Sequence, residues 1–160
     1  MDAGADTGDI LSQQEISITD QDDARTLYDK VIETALAQIT KFLPQLATGS
    51  FQRIKQKEQY ANMWRKWGCP DGKIDWRMSA QTIHNLVRGL AKPYVGAHFN
   101  CDGKDIKVWK TKTVNETTQN IEPGKILSVD TRGVVVKTGI DALRLVDIEP
   151  QIILEEGEYL

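Results

Sequence analysis

Apolar residues recur in steps of three and four through Ala24, Leu27, Tyr28, Val31, Ile32, Ala35, Leu36, Ile39, Leu43 and Leu46, which predicts one long amphipathic helix. Thr19 or Asp20 offers its N-cap, and Asp22 and Asp23 fall in the first turn, where carboxylates complement the helix dipole. Pro44 bends or nearly ends the helix and Gly49 closes it. Upstream, the alternation at Glu15–Ile18 predicts a strand. Phe51–Cys69 has neither period and reads as a connector, ending in the turn signal Cys69-Pro70-Asp71-Gly72. Ser79 then caps a second helix with Ile83, Leu86, Val87 and Leu90 on one face, stopping before Pro93.

From Tyr94 onward the period becomes two. Candidate strands are His98–Asn100, Ile106–Lys110, Ile126–Asp130, Val134–Thr138 and Ala142–Ile148, divided by Asp102-Gly103, Pro123-Gly124, Arg132-Gly133 and Gly139. Five short strands so spaced predict a small closed or partly closed barrel, with the OB type as one option. The expected fold class is an α/β remnant, one strand plus a long helix, followed by a helix and a small OB-like β-barrel. One strand and one helix cannot enclose a core, so residues 1–52 look like the end of an α/β domain that needs further parallel strands. Residues 53–71 are the linker, and residues 72–160 form a complete helix-plus-barrel unit.

Composition changes this picture little until charge is divided by position. The net charge of −3 resolves into −6 for residues 1–50, +6 for 51–100 and −3 for 101–160. The basic middle block also holds Tyr60, Trp64, Trp67, Trp76 and Tyr94. Cations interleaved with flat rings suit a phosphorylated, ring-bearing partner, and they equally suit a solvated linker whose rings simply pack. Cys69 and Cys101 with two histidines cannot supply a disulfide framework or a four-ligand zinc finger, so reduced thiols in a cytoplasm are expected. No apolar run reaches the length of a membrane helix, and the N-terminus lacks the order of a signal peptide.

Gly4-Ala5-Asp6-Thr7-Gly8-Asp9 sets two carboxylates three residues apart in a Gly-bracketed loop. Such a loop lets backbone approach a ligand and places Asp6 to accept a proton, or it is an acidic turn beside a strand. His84 and His98 have no Ser or Cys nucleophile in a recognisable arrangement and read as structural. Arg88 either holds a phosphate or carboxylate or pairs with Asp71 or Asp75. No phosphate loop, dinucleotide fingerprint or EF-hand spacing occurs.

Six segments together resemble the methionyl-tRNA formyltransferase superfamily. Met1-Asp2-Ala3-Gly4-Ala5-Asp6-Thr7-Gly8-Asp9-Ile10 is similar to its MDxGxDTGD segment, and Asp71-Gly72-Lys73-Ile74-Asp75-Trp76 to its DGxIDW after the linker. Ser79-Ala80, Ile83, Leu86-Val87-Arg88-Gly89-Leu90, Pro93-Tyr94 and Gly96-Ala97 follow its SAxxIxxxIRAxxxPxxGA helix and turn. Val108-Trp109-Lys110, Pro123-Gly124-Lys125-Ile126-Leu127, and Thr138-Gly139 with Ala142-Leu143-Arg144-Leu145, resemble its KVWxA, PGTIL and TGDGxLxL signatures.

The resemblance implies transfer of a formyl group from 10-formyltetrahydrofolate to a primary amine, with an Asn and a His of an NxH motif and the Asp that Asp6 matches as catalytic groups. No NxH motif precedes Gly4. The chain therefore reads as the C-terminal portion of such an enzyme, its catalytic segment and most of the folate site supplied in cis or in trans. Alone it is expected to be inactive. A non-catalytic binding or assembly module is a further alternative.

The family divides mainly between methionyl-tRNA and amino-sugar nucleotides. The net acidity of residues 101–160 and the cations of Trp64-Arg65-Lys66-Trp67 favour the sugar nucleotide, with Trp64, Arg65 and Arg88 as candidate substrate contacts and methionyl-tRNA as the alternative.

Overall fold

Asp23, not Thr19 or Asp20, caps the first helix: its Oδ1 accepts the Arg25 amide at 2.9 Å. The computed structural model describes residues 4–160, so Met1, Asp2 and Ala3 of the N-terminal motif lie outside the described residues. Helix α1 runs Ala24–Thr48 with Pro44 inside it, and Gly49 (φ 70°) ends it while the Ser50 amide donates to the Gln45 carbonyl. The chain divides into two units, residues 4–20 with 26–66, and residues 21–25 with 67–160.

In the first unit the expected strand at Glu15–Ile18 does not form. A strand needs a neighbouring edge to satisfy its N–H and C=O groups, and none pairs with this stretch among the described residues. The extended pairing that does form is a single antiparallel bridge between Ile10 and Ile54, closed by hydrogen bonds of 2.8 and 2.9 Å.

The second unit holds α2 (Ala80–Gly89) and strands β1 (Ala97–Cys101), β2 (Lys104–Val114), β3 (Ile126–Asp130), β4 (Gly133–Lys137) and β5 (Ala142–Glu149). Ser79 caps α2 as the sequence predicts, its Oγ accepting the Thr82 amide at 3.1 Å. Ile83 and Val87 on α2 pack with Ile106, Val108, Val136, Leu143 and Leu145 of the sheet, and Trp76 meets Phe99 edge to face at 5.6 Å.

The sheet is antiparallel, in the order β1-β2-β5-β4-β3, and it is open rather than a barrel. Both of its outer strands find partners outside the sheet. The Ile74 amide donates to the His98 carbonyl of β1, while Ile126 of β3 exchanges hydrogen bonds with Gly157 and Glu158. Those bonds occupy the edge groups that barrel closure would require. Among the described residues no helix is long and apolar enough to cross a membrane.

Candidate functional site

The loop around Asp6 is pinned from the linker. Gln56 Nε2 donates to the Asp6 carbonyl at 2.8 Å and the Gly8 carbonyl at 2.6 Å, beside the Ile10–Ile54 bridge. Asp6 sits at φ 57°, a left-handed conformation that Asp tolerates better than most side chains. A Cβ at Gly4 would meet the Thr7 hydroxyl at 2.3 Å, so a larger residue there would have to displace the Thr7 side chain. Fixing the backbone while Asp6 stays exposed leaves its carboxylate facing solvent on a defined loop. Nothing in the residue type of Gln56 announced this role; a glutamine among linker cations carries no periodic signal.

Every residue from Gln52 to Pro70 is exposed. Trp64 is 86% and Tyr60 70% exposed, so these two rings are not packed away within the linker. Arg65 is exposed on the same segment of the first unit. Arg88 belongs to the second unit, where its Nη1 donates to the Asp22 carbonyl at 3.0 Å and its Nε to Asn85 Oδ1 at 2.9 Å. Asp75, one of its candidate partners, is engaged by Arg77 at 2.6 Å.

The remaining motifs are brought together by backbone contacts. The Gly139 amide donates to the carbonyls of Trp76 and Met78 at 3.0 and 2.9 Å, joining the DGKIDW and TGI segments. Buried Lys137 is satisfied by the Thr138 and Asp141 carbonyls. In the VWK segment, Trp109 Nε1 donates to Glu149 Oε2 at 2.7 Å, and Lys92 Nζ lies 4.7 Å from the indole centroid. The two histidines differ. His84 Nδ1 is 2.8 Å from Thr111 Oγ1, whereas buried His98 leaves Nδ1 without a hydrogen-bond partner, near a Gly72 position where a Cβ would approach to 3.5 Å.

The Arg77 side chain, hydrogen-bonded to Asp75, lowers the Asp75 carboxyl from 3.8 to about 2, with help from the Arg77 amide. Because the folded value is the depressed one, this interaction acts above pH about 4 and fades as pH falls toward 2. Arg77→Ala is expected to raise the Asp75 value toward, but not fully to, that of an ordinary carboxylate, because the backbone amide at position 77 still donates to it, read by carbon-13 NMR titration; an unchanged midpoint would assign the shift to another cause.

Residues 70–153 match the family model described as "Formyl transferase, C-terminal domain". The chain belongs to this family. It is 38% identical over 162 residues to the methionyl-tRNA formyltransferase of Caldanaerobacter subterraneus subsp. tengcongensis, a match covering 100% of this chain and 52% of that protein. It spans about half the length of the curated relatives it matches. Among solved structures, HypX from Aquifex aeolicus aligns with a TM-score of 0.68 at 19% identity, over 92% of this chain and 25% of HypX. The N-formyltransferase from Helicobacter canadensis, in complex with folinic acid and dTDP-3-aminofucose, aligns at 0.59 and 20% identity, over 91% of this chain and 52% of that one. At those identities the structural likenesses establish the fold alone.

Proposed function

We propose that this chain works as the C-terminal half of a 10-formyltetrahydrofolate-dependent formyltransferase whose amine substrate is methionyl-tRNA. The observation that carries the substrate is the 38% identity across the whole chain to a methionyl-tRNA formyltransferase, against 20% to a sugar N-formyltransferase. This reverses the preference for an amino-sugar nucleotide drawn from segment charge. Segment totals do not say where charge meets solvent, and the linker from Gln52 to Pro70, which carries Arg65 and Lys66 beside Trp64, is exposed throughout. Exposed cations and rings suit an RNA backbone and unstacked bases.

In this reading residues 1–52 complete the catalytic domain, 53–71 link, and 72–160 form the C-terminal domain. Trp64 and Arg65 contact the RNA, and Arg88 helps to hold the segment at Asp22 in place. Asp6 takes a proton from the amine, which attacks the formyl carbon only through a free lone pair. Bound 10-formyltetrahydrofolate supplies the formyl group. Gly4–Thr7 are exposed and offer a single carboxylate, Asp6, which fits the proton transfer.

The test is a formyl-transfer assay of the complete protein with methionyl-tRNA and with several amino-sugar nucleotides. Formylation of the charged tRNA is expected; activity confined to a sugar nucleotide would reverse the assignment.

A further inference from the structure

The sheet unit holds a groove of about 600 Å³ between the β3–β4 turn and the segment that follows β5, and its charges do not cancel. Lys112, Arg132 and Arg144 line it against one carboxylate, Asp130. Asp130 accepts from Arg132 Nη2 at 2.9 Å and from Arg144 Nη1 at 2.7 Å. Hydrogen bonds from the Arg132 side chain and amide hold the Asp130 carboxyl below its usual value, so it stays ionised and fixes both guanidinium groups. Lys112 sits directly across the β2–β5 ladder from Arg144, a like-charge pairing that costs stability until an anion lies over it.

The Arg144 side chain is only 14% exposed, yet Nη1 alone is engaged, by Asp130 and by the Gly133 carbonyl at 3.4 Å. Among the described residues nothing accepts from its Nε or Nη2, and neither atom is sealed from solvent. Those two nitrogens form the side-on edge of the guanidinium, the fork that matches two oxygens of one oxyanion. Lys112 Nζ is likewise without a partner among the described residues.

We propose that this groove binds a phosphate monoester with a ring-sized body, of the dimensions of a nucleoside monophosphate. The phosphate lies on Arg144 and Lys112, and the body on Val134, Ile148 and Ile152. Three cations against one carboxylate match the nearly doubly negative charge of a phosphate monoester at neutral pH. The volume exceeds what phosphate alone fills and falls within the usual range of small-ligand sites. Gln151 Nε2 donates to the Ile148 carbonyl at 2.9 Å, which orients the carboxamide and leaves its oxygen to accept an N–H or O–H of the body. An RNA backbone suits exposed, mobile cations, whereas a largely buried guanidinium in a groove suits a terminal phosphate entering end-on. The groove belongs to the sheet unit and Asp6 to the other, so this is a binding function beside formyl transfer.

The test is isothermal titration calorimetry of the full 160-residue chain with the common ribonucleoside 5′-monophosphates, adenosine, inorganic phosphate and an RNA dinucleotide lacking a terminal phosphate. One-to-one binding of at least one monophosphate is expected, about 10-fold or more tighter than adenosine or inorganic phosphate. Arg144→Lys keeps the charge but loses the fork and should weaken binding by about 10-fold or more, as for loss of a hydrogen bond to a charged group. Lys112→Ala, at an exposed position, should weaken it similarly and keeps the test decisive if the Arg144 variant fails to fold. Lys104→Ala, exposed at the start of β2, should bind as wild type. Absence of saturable binding by every monophosphate, equal affinity for inorganic phosphate, or binding indifferent to Lys112→Ala would each overturn the proposal. So would equal, Lys112-dependent binding of the dinucleotide, which would make the groove a contact for the RNA backbone.

Discussion

Asp6→Asn in the complete enzyme is expected to lower kcat by about 1,000-fold, within the range for loss of a general base. Asn accepts the left-handed φ of 57° as readily as Asp, so the loop should stay as it is and the loss should lie in proton transfer. Gln56→Leu keeps the carboxylate but removes both tethers from the Asp6 and Gly8 carbonyls, and its activity should fall between wild type and Asp6→Asn. The measurement is steady-state formyl transfer, paired with far-UV circular dichroism to confirm folding. An Asp6→Asn enzyme retaining more than a tenth of wild-type kcat would remove Asp6 from the chemistry.

Gly133→Ala is expected to unfold the sheet unit or cost it about 4 kcal/mol or more, at the upper end for single substitutions. The residue has φ 122°, and a Cβ there would lie 1.9 Å from the Leu145 carbonyl oxygen on β5. Neither backbone can retreat without breaking the β4–β5 ladder that pairs Val134 with Leu145. Gly103→Ala is the matched control. It too has positive φ, 76°, but open space around the new Cβ, so about 1 kcal/mol of conformational strain is the whole expected loss. Urea unfolding followed by tryptophan fluorescence would compare them, and equal losses would show that contact with Leu145 does not decide the outcome.

These two glycines show how far local pattern reaches. Asp102 and Gly103, both at positive φ, form the tight turn expected where two alternating runs meet, and all five strand candidates lie where the turn residues divide them. Closure was not legible in the same way. Whether β1 and β3 meet depends on what else takes their edge groups, and Gly157–Glu158 sits in an acidic stretch without a strand period. The start of α1 moved by a few residues because Thr19, Asp20 and Asp23 all have capping side chains. The choice fell to burial of Asp22 and Ala24, a tertiary matter. At the site, the glycines advertised the Asp6 loop, whereas Gln56 acts from about 50 residues away in sequence, through a contact that no spacing rule encodes.

The bonds joining Ile126 to Gly157 and Glu158, and Gly124 to Leu160, bear on how the unit forms during synthesis. The β1–β2 hairpin can pair as soon as it leaves the ribosome, because its partners are neighbours in sequence. The edge at β3 has no such freedom. It stays unprotected until Leu160 has been translated and threaded back, so the nascent domain carries an open strand edge for the whole time its last third is being made.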